Sequence, residues 1–437
     1  MERTFPRQRT SDGRPAGWPG EPVYLDYNAT TPVDARVAEA ARPYWDQWFG
    51  NPSSDHAYGG PPRQAVTQAR QQVAALIGAA PGEIVFTGSG SEADQLAIRG
   101  AVLAGLRAAP GGMPQVITQV TEHPAVLACC EALERWHGAR VTRLPVDRSG
   151  LIDPGAVADA LADGADGAQG RGPSRTSAGP ALVSVMLANN ETGAVQPVRQ
   201  IAETAHAHGA LLHVDAAQAA GKTGIDVTAL GADLLTVVGH KMYAPKGIAA
   251  LYVRAGVVLE PVVYGGGQER GLRAGTENVA LIAALGAAAE LARYDLASGS
   301  ERRLAGLRDR LHAQLAAALP GRVELNGPPD PRLPNTLNIS ITGLRGHDLL
   351  AAAPGVAAST GSACHSGQHA PSPVLTAMGL DADRALAAIR LSLGRWSTEA
   401  EVDAAAGHLA AAAIRLTGAA GRRTAVPADA TQMMPAQ

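Results

Sequence analysis

The chain has 437 residues, of which 46% are hydrophobic and 18% charged, with a formal net charge of −3. This balance is ordinary for a globular protein with one large domain and one smaller one. A charge this close to zero gives no reason to expect a nucleic acid or an anionic membrane as a partner, and no apolar run approaches the roughly 20 residues needed to cross a bilayer.

Residues 1–21 combine arginines and prolines with Glu2 and Asp12 and lack the apolar stretch of a secretory signal, so they predict a disordered tail. The chain contains three cysteines, Cys129, Cys130 and Cys364. This low, odd count is typical of a reducing compartment and predicts a cytoplasmic protein without a disulfide framework. The chain also contains three lysines, Lys222, Lys241 and Lys246, so chemistry that needs an amine has three candidates.

From Val23 onward, short β-rich apolar runs alternate with longer helical stretches. Six runs are predicted to be buried strands: residues 83–88, 115–120, 181–188, 210–216, 233–239 and 248–253. The alternation predicts an α/β fold with a mostly parallel sheet that helices cover on both faces. Ligands of such sheets bind beyond the carboxyl ends of the strands.

Composition divides the chain into two predicted domains. The large cofactor-binding domain is assigned to residues 22–279, with its first residues available to pack against the other domain, and residues 161–180 predict a flexible surface insertion. Long Ala/Leu/Arg helices and a strand-like run at 335–343 predict a smaller α+β domain over residues 280–418. Residues 419–437 predict a second disordered tail.

Two strand ends carry the strongest chemical signals. Lys241 follows a buried strand, between His240 and a Pro/Gly-rich turn, where an amine can form a Schiff base with an aldehyde cofactor. The alternative is an ordinary solvated lysine. Asp215 ends another apolar strand, where a protonated pyridine nitrogen would be a suitable partner for its carboxylate. The alternative is an N-cap of the next helix.

Other strand ends are compatible with the same cofactor. Gly90 and Ser91 lie in a Gly/Ser turn before a helical run, which is typical of a phosphate-binding helix N-terminus. His123 follows the next strand and could stack on a flat ring. Asn190 and Thr276 lie in two further polar segments, Ala188–Gly193 and Gly271–Asn278.

Cys364 lies in a polar, glycine-rich segment, residues 359–367, with His365 beside it. This context offers the exposure and the thiolate stabilisation that a nucleophile needs, although an incidental loop cysteine is the alternative. Zinc is a poor interpretation, because His365 and His369 are accompanied by no second cysteine, and no metal site is predicted.

The order of these segments resembles the cysteine desulfurases of the aminotransferase class V family, which have the type I pyridoxal-phosphate fold. The resemblance covers roughly residues 22–415 and rests on nine motifs: residues 25–32, 50–54, 121–123, 189–191, 213–215, 239–241, 273–276, 362–364 and 389–392. Residues 238–241, 363–366 and 371–375 are also similar to selenocysteine lyases. The chain departs from many bacterial desulfurases at Val238, where they have a phosphate-binding serine.

The resemblance implies a role for each motif. It assigns pyridoxal 5′-phosphate to Lys241 and makes Cys364 the sulfur acceptor, with His123 as a further catalytic residue that stacks on the ring. It implies that Asp215 pairs with the pyridine nitrogen. The remaining cofactor-binding residues would be Asn190 and Gln218 at the ring oxygen and Gly90, Ser91, His240 and Thr276 at the phosphate. Substrate binding is assigned to Asn51 and Arg390, whose bidentate fork suits a carboxylate.

The implied reaction converts L-cysteine to L-alanine and leaves a persulfide on Cys364 for a sulfur-acceptor protein. Thr276 is expected to reach the phosphate of the other subunit in a homodimer. A selenocysteine lyase is the main alternative, and Pro124, where mammalian lyases have an acidic residue, favours cysteine. A plain aminotransferase would have no use for Cys364. A non-catalytic scaffold that binds a sulfur acceptor would not need Lys241, Asp215 and His123 together.

Overall fold

A computed structural model describes residues 13–14, 22–109, 112–166, 178–361 and 370–423. A seven-stranded sheet forms the centre of the larger part. Its strands, in spatial order, are β2 (Ile84–Thr87), β8 (Ala249–Val253), β7 (Leu234–Val238), β6 (Leu211–Asp215), β5 (Ala178–Met186), β3 (Met113–Gln119) and β4 (Arg140–Leu144). Strand β8 is antiparallel to both of its neighbours, and the other pairs are parallel. The predicted mostly parallel sheet is confirmed.

Helices cover both faces of this sheet. They are α3 (Gly60–Ile77), α4 (Gly90–Ala108), α5 (Pro124–His137), α6 (Pro154–Asp166), α7 (Val198–Ala207), α8 (Val227–Leu230) and α9 (Val279–Ala297). Neighbouring strand residues alternate between the two faces: Val116 and Leu182 pack with α4 and α5, while Ile117 and Val183 pack with α3, α6 and α7. This two-sided burial explains why the strands read as continuous apolar runs.

The C-terminal part has its own core. A three-stranded antiparallel sheet contains β9 (Val323–Leu325), β10 (Thr336–Ile341) and β12 (Ala388–Ser392), and β1 (Val23–Tyr24) pairs in parallel with β11 (Val356–Ala357). The helices are α10 (Ser300–Ala318), α11 (Gly346–Ala352), α12 (Pro373–Ala377), α13 (Ala382–Leu386) and α14 (Glu399–Arg423). Val23 and Leu25 pack in this second core, although they precede the large sheet in the sequence.

The packing of α9 bears on the predicted domain boundary between residues 279 and 280. Val279, Ile282 and Leu285 of α9 pack in the same core as Val73 and Ile77 of α3. Two short helices, α1 (Ala35–Ala41) and α2 (Pro43–Asp46), also lie against α9. The boundary stays a prediction, and this packing favours one between α9 and α10.

The edges of two predicted irregular segments need correction. Helix α6 extends to Asp166 and β5 begins at Ala178, so the predicted insertion includes the ends of both, and residues 167–177 lie outside the described residues. Helix α14 continues to Arg423 instead of ending near Gly418, because Ala and Arg are strong helix formers. Residues 424–437 lie outside the described part of the chain.

Two residues of the predicted N-terminal tail contact the fold. The carbonyl oxygen of Gly13 accepts a hydrogen bond from the Ala35 backbone N–H at 3.0 Å, and the Arg14 guanidinium donates to the Trp396 carbonyl oxygen. Residues 1–12 and 15–21 are not among the described residues. None of the described helices combines the length and apolar character that crossing a bilayer requires.

Candidate active site

The carboxyl ends of β2, β3, β5, β6 and β7 meet at one edge of the sheet, beside Arg390 of β12. Between them lies a cavity of about 380 Å³. Nine residues predicted to form the site line it: Gly90, Ser91, His123, Asn190, Asp215, Gln218, His240, Lys241 and Arg390. The two sheets therefore bring together residues that lie up to 300 positions apart in the sequence.

Lys241 ends the single 3₁₀ turn that follows β7. Its Nζ donates hydrogen bonds to the carbonyl oxygens of Asn28 and Ala29, the latter at 3.1 Å. Burial, and secondly the positive charge of Arg390, lower the pKa of Lys241 to about 8. A substantial fraction of the amine is therefore uncharged near neutral pH, as a nucleophilic amine requires.

Asp215 is the last residue of β6, and its carboxylate is 6% exposed. It accepts a hydrogen bond from the Ala217 backbone N–H at 2.9 Å. Within the described ranges no lysine, arginine or histidine forms an ion pair with it. Burial raises its pKa, while the hydrogen bond from Ala217 and the positive charge of Lys241 oppose that shift. A buried carboxylate in this state fits a cationic group that enters the cavity.

His123 is the N-cap residue of α5. Its Nδ1 accepts a hydrogen bond from the Ala125 backbone N–H at 3.2 Å, so the ring proton is assigned to Nε2. Burial lowers the pKa of His123, which favours the neutral imidazole. A neutral flat ring at the cavity wall is suited to stacking on an aromatic ligand.

The N-terminus of α4 forms one end of the cavity. Ser89 caps it, accepting from the Glu92 backbone N–H at 3.1 Å, and the first helical N–H groups of Gly90 and Ser91 have no partner within the helix. Arg273 forms an ion pair with Glu92 at 2.8 Å, which offsets the negative charge of Glu92. The helix end can therefore bind an anion such as a phosphate.

Gly90 is required there by the side chain of Val238. A Cβ atom on Gly90 would lie 2.6 Å from Val238 Cγ2, well inside van der Waals contact. With valine at position 238, a side chain at position 90 would therefore overlap its Cγ2 methyl group.

We expect Gly90→Ala to lower the free energy of unfolding by about 1–3 kcal/mol, because overpacking at Val238 outweighs the better helix propensity of alanine. Adding Val238→Ala should recover part of the loss, measured as the coupling in a double-mutant cycle by urea unfolding. Gly60→Ala is the matched control, since Gly60 also begins a helix and an added Cβ meets nothing within 4 Å. Additive effects of the two cavity substitutions would contradict the coupling.

Arg390 lies in the middle of β12 and is 5% exposed. Its guanidinium forms an ion pair with Asp26 at 2.7 Å and donates to the Asn190 carbonyl oxygen at 3.2 Å. Its Nε is buried and finds no hydrogen-bond partner among the described residues. Asp26 and the Asn190 carbonyl thus hold Arg390 at the cavity wall, and its Nε–H donor has no partner among the described residues.

Two predicted residues are not brought to this cavity, and a third is not among the described residues. Asn51 and Thr276 are exposed and do not line it in a single chain. Cys364 lies outside the described residues, although Ser359 and Gly361, which precede it, line the cavity. The described ranges contain no group of three or more His, Cys, Asp or Glu side chains arranged to hold a metal ion.

Three lining or supporting residues received no individual role from the sequence. Asn28 accepts hydrogen bonds from Lys241 and Gln218 through its carbonyl oxygen. Asp94 lines the cavity one helical turn after Gly90, and burial followed by the charge of Asp215 raises its pKa well above the usual range. Asp94 follows Ser91 by three residues, and Lys222 follows Gln218 by four. These spacings from predicted cofactor-binding residues were the signals in the sequence that could have indicated the two residues.

The comparisons with known proteins agree with this geometry. The sequence profile described as Aminotransferase class-V matches residues 23–405. A cysteine desulfurase of Trichormus azollae is 45% identical over 386 residues, which cover 87% of this chain and 90% of that protein.

Two solved structures have the same fold. A NifS-like protein superposes with a TM-score of 0.78 at 32% identity, covering 90% of this chain and 99% of that one. A structure described as SspA in complex with cysteine gives a TM-score of 0.71 at 34% identity, covering 86% and 99%. The resemblance noted from the motifs and the expected type I pyridoxal-phosphate fold are confirmed. The chain therefore belongs to the aminotransferase class-V family, among relatives that are cysteine desulfurases.

Proposed function

We propose that this protein is a pyridoxal-phosphate-dependent cysteine desulfurase that converts L-cysteine to L-alanine and passes the sulfur to an acceptor protein. The observation that carries the proposal is that two buried ionisable groups, Lys241 and Asp215, line one cavity at the carboxyl edge of the sheet without an ion pair between them. Lys241 has a pKa of about 8, and its positive charge acts on the neighbouring Asp215 carboxylate. The membership of the family supports the same conclusion.

The cavity residues fit pyridoxal 5′-phosphate. Asp215 lacks a cationic partner among the described residues and matches a protonated pyridine nitrogen. The N-terminus of α4 matches a phosphate, and the neutral ring of His123 matches an aromatic face. Lys241 would hold the cofactor covalently. When bound, this cofactor supplies an electron sink for the bond changes at the substrate.

The protein side chains perform the remaining tasks. Arg390 binds the substrate carboxylate, using the guanidinium that Asp26 holds in place. Lys241 can accept and return a proton at Nζ, because its pKa lies close to the working pH. The Cys364 thiolate attacks the substrate sulfur, so that an S–S bond forms while the C–S bond breaks. The electron pair of that bond goes to carbon, which takes up a proton to give alanine.

Cysteine is the proposed substrate, with selenocysteine tolerated. A relative of the same fold is described as bound to cysteine. A thiol with a pKa of about 8.5 is a poor leaving group, so cleavage of cysteine gains from a nucleophilic Cys364. Pro124 begins α5 directly after His123 and provides no acidic group there.

We also propose that two chains form a homodimer in which Thr276 of the partner subunit reaches the phosphate. Thr276 and Asn51 are exposed and outside the cavity of their own chain. A cluster of large side chains near Asn51 is also exposed: Trp45 at 61%, Phe49 at 69% and Tyr58 at 62%. Such a patch is typical of an interface. Sedimentation should give a dimer, and a fully active monomer would contradict the shared site.

The pH dependence of cofactor attachment should follow Lys241. Only the uncharged amine reacts with the aldehyde, so the rate at which apoprotein takes up the cofactor should rise with pH and level off above about 8, the pKa of Lys241. Arg390→Met removes a positive charge that lowers this pKa, and the midpoint should move to higher pH. Arg302→Met, an exposed substitution on α10, is the control and should leave the midpoint in place. An unchanged midpoint in Arg390→Met would contradict the electrostatic role.

Reductive trapping tests the assignment of the cofactor site. Borohydride should remove the absorption band of the bound cofactor, and peptide mapping should then find the pyridoxyl group on Lys241. Finding it on Lys222 or Lys246 would overturn the assignment.

A further inference from the structure

Lys222 is a buried lysine for which the proposed reaction has no use. It lies in the turn after β6 and is 8% exposed. Its Nζ donates hydrogen bonds to Gln218 Oε1 at 2.6 Å and to Asn28 Oδ1 at 3.1 Å. Burial, followed by the positive charges of Lys241 and Arg390, holds the pKa of Lys222 well below its usual range. Burying an amine costs free energy, so we expect Lys222 to have a structural or functional role that offsets this cost.

The hydrogen bonds of Lys222 determine how the Gln218 amide is oriented. The amine donates one N–H to each of the two amide oxygens that it contacts. Because Gln218 Oε1 accepts from Lys222, Nε2 must lie on the other side of the amide. That nitrogen donates one hydrogen to the Asn28 carbonyl oxygen at 2.9 Å. Its second hydrogen is available to the cavity, which Gln218 lines.

The Asn28 side chain is oriented by the same amine. Its Oδ1 accepts from Lys222 and from Asn335 Nδ2, the latter at 3.0 Å. Its Nδ2 therefore donates, at 2.8 Å to Thr336 Oγ1 and at 3.2 Å to the Asn190 carbonyl oxygen. The Asn28 backbone carbonyl in turn accepts from Gln218 and Lys241. Removing the amine would leave Gln218 Oε1 without its donor, whereas the Asn28 amide would keep its hydrogen bonds to Asn335, Thr336 and the Asn190 carbonyl.

We propose that Lys222 is a positioning residue that fixes the Gln218 amide with an N–H donor facing the cavity. This inference rests on the proposed function, in which a negatively charged ring oxygen of the cofactor lies against Gln218. An amide rotated by 180° has nearly the same shape but presents an oxygen, which repels the ring oxygen. Lys222 thus selects the orientation that binds the cofactor.

The test compares two ligands of the apoprotein: pyridoxal 5′-phosphate and its 3-deoxy analogue, which lacks the ring oxygen. Lys222→Met keeps the chain length and removes the amine. It should weaken binding of pyridoxal phosphate about 5- to 30-fold, as expected for a lost hydrogen bond to a charged group, and leave binding of the analogue unchanged. It should also raise the pH at which the absorption of the bound cofactor changes. Lys246→Met, an exposed lysine, is the matched control.

Gln218→Glu provides a second variant if Lys222→Met does not fold. Its carboxylate can pair with Lys222 and has no N–H donor, so it imitates the rotated amide. It should lose affinity for pyridoxal phosphate and retain affinity for the analogue.

Three results would overturn the proposal. One is that Lys222→Met weakens the binding of both ligands by the same factor. Another is an equally large loss of affinity for pyridoxal phosphate when Lys222→Met is added to Gln218→Ala. If Lys222 acts through the Gln218 amide, its removal should have no further effect once that amide is gone. The third is wild-type affinity for pyridoxal phosphate in Gln218→Glu. A wild-type protein that binds neither ligand would instead refute the proposed function, and the inference with it.

Discussion

Cys364→Ser is expected to abolish sulfur release, with turnover falling at least about 10³-fold, while the cofactor and L-cysteine still bind. The reason is that a serine hydroxyl is not ionised at neutral pH and cannot form a persulfide. The change in absorption on adding L-cysteine should persist, because Lys241, Asp215 and Arg390 are intact. Sulfide and alanine should be measured together, with and without a reducing agent.

The other two cysteines provide the control. Cys129 and Cys130 are buried in α5, and burial raises the pKa of each thiol to about 12. Neither is a thiolate at neutral pH, so Cys129→Ala should keep its turnover and lose only some stability. Near-normal turnover in Cys364→Ser, or its loss in Cys129→Ala, would refute the assignment of the sulfur acceptor.

Asp215→Asn is expected to reduce turnover by about 10²–10³-fold. A neutral amide cannot hold a proton on the pyridine nitrogen, and an unprotonated ring is a poorer electron sink. The loss should appear in kcat more than in KM, because the substrate is held elsewhere, by Arg390. Steady-state kinetics with saturating cofactor measure both.

Asp94→Asn is the matched control for that prediction. Asp94 lines the same cavity and is equally buried, but its pKa is raised well above the usual range, so its native side chain is favoured in the protonated, neutral form. The amide replaces a neutral group of the same shape, and we expect less than about a fivefold change. If Asp94→Asn lost as much turnover as Asp215→Asn, the negative charge would have been assigned to the wrong carboxylate.

Much of the fold could be predicted because the strands are buried on both faces. Each of the six predicted runs overlaps one strand of the central sheet, and the 335–343 run contains β10. Strand β4 was missed, since Arg140–Leu144 lies at the sheet edge and alternates with charged residues. The alanine-rich sequence of α9 fits either core, so the sequence alone does not indicate that this helix packs against α3.

The site could be predicted wherever a residue lies at the end of a strand or a few residues beyond it, as Asp215, His123 and Lys241 do. Parallel strands place such residues at one edge whatever their separation in the sequence. Lys222 could not be assigned a role in the same way. Its importance depends on contacts with Asn28 and Gln218 that only the folded chain creates, and the four-residue spacing from Gln218 does not by itself distinguish it from a solvated lysine.

The most direct test of the central claim is product analysis with the purified, cofactor-loaded protein and L-cysteine under reducing conditions. The proposed function predicts L-alanine and sulfide in equal amounts, because each C–S bond broken yields one of each. L-Selenocysteine, assayed alongside, should also give alanine. Pyruvate and ammonia in place of alanine, or strict rejection of L-cysteine while L-selenocysteine reacts, would contradict the claim and favour a different enzyme of the same fold.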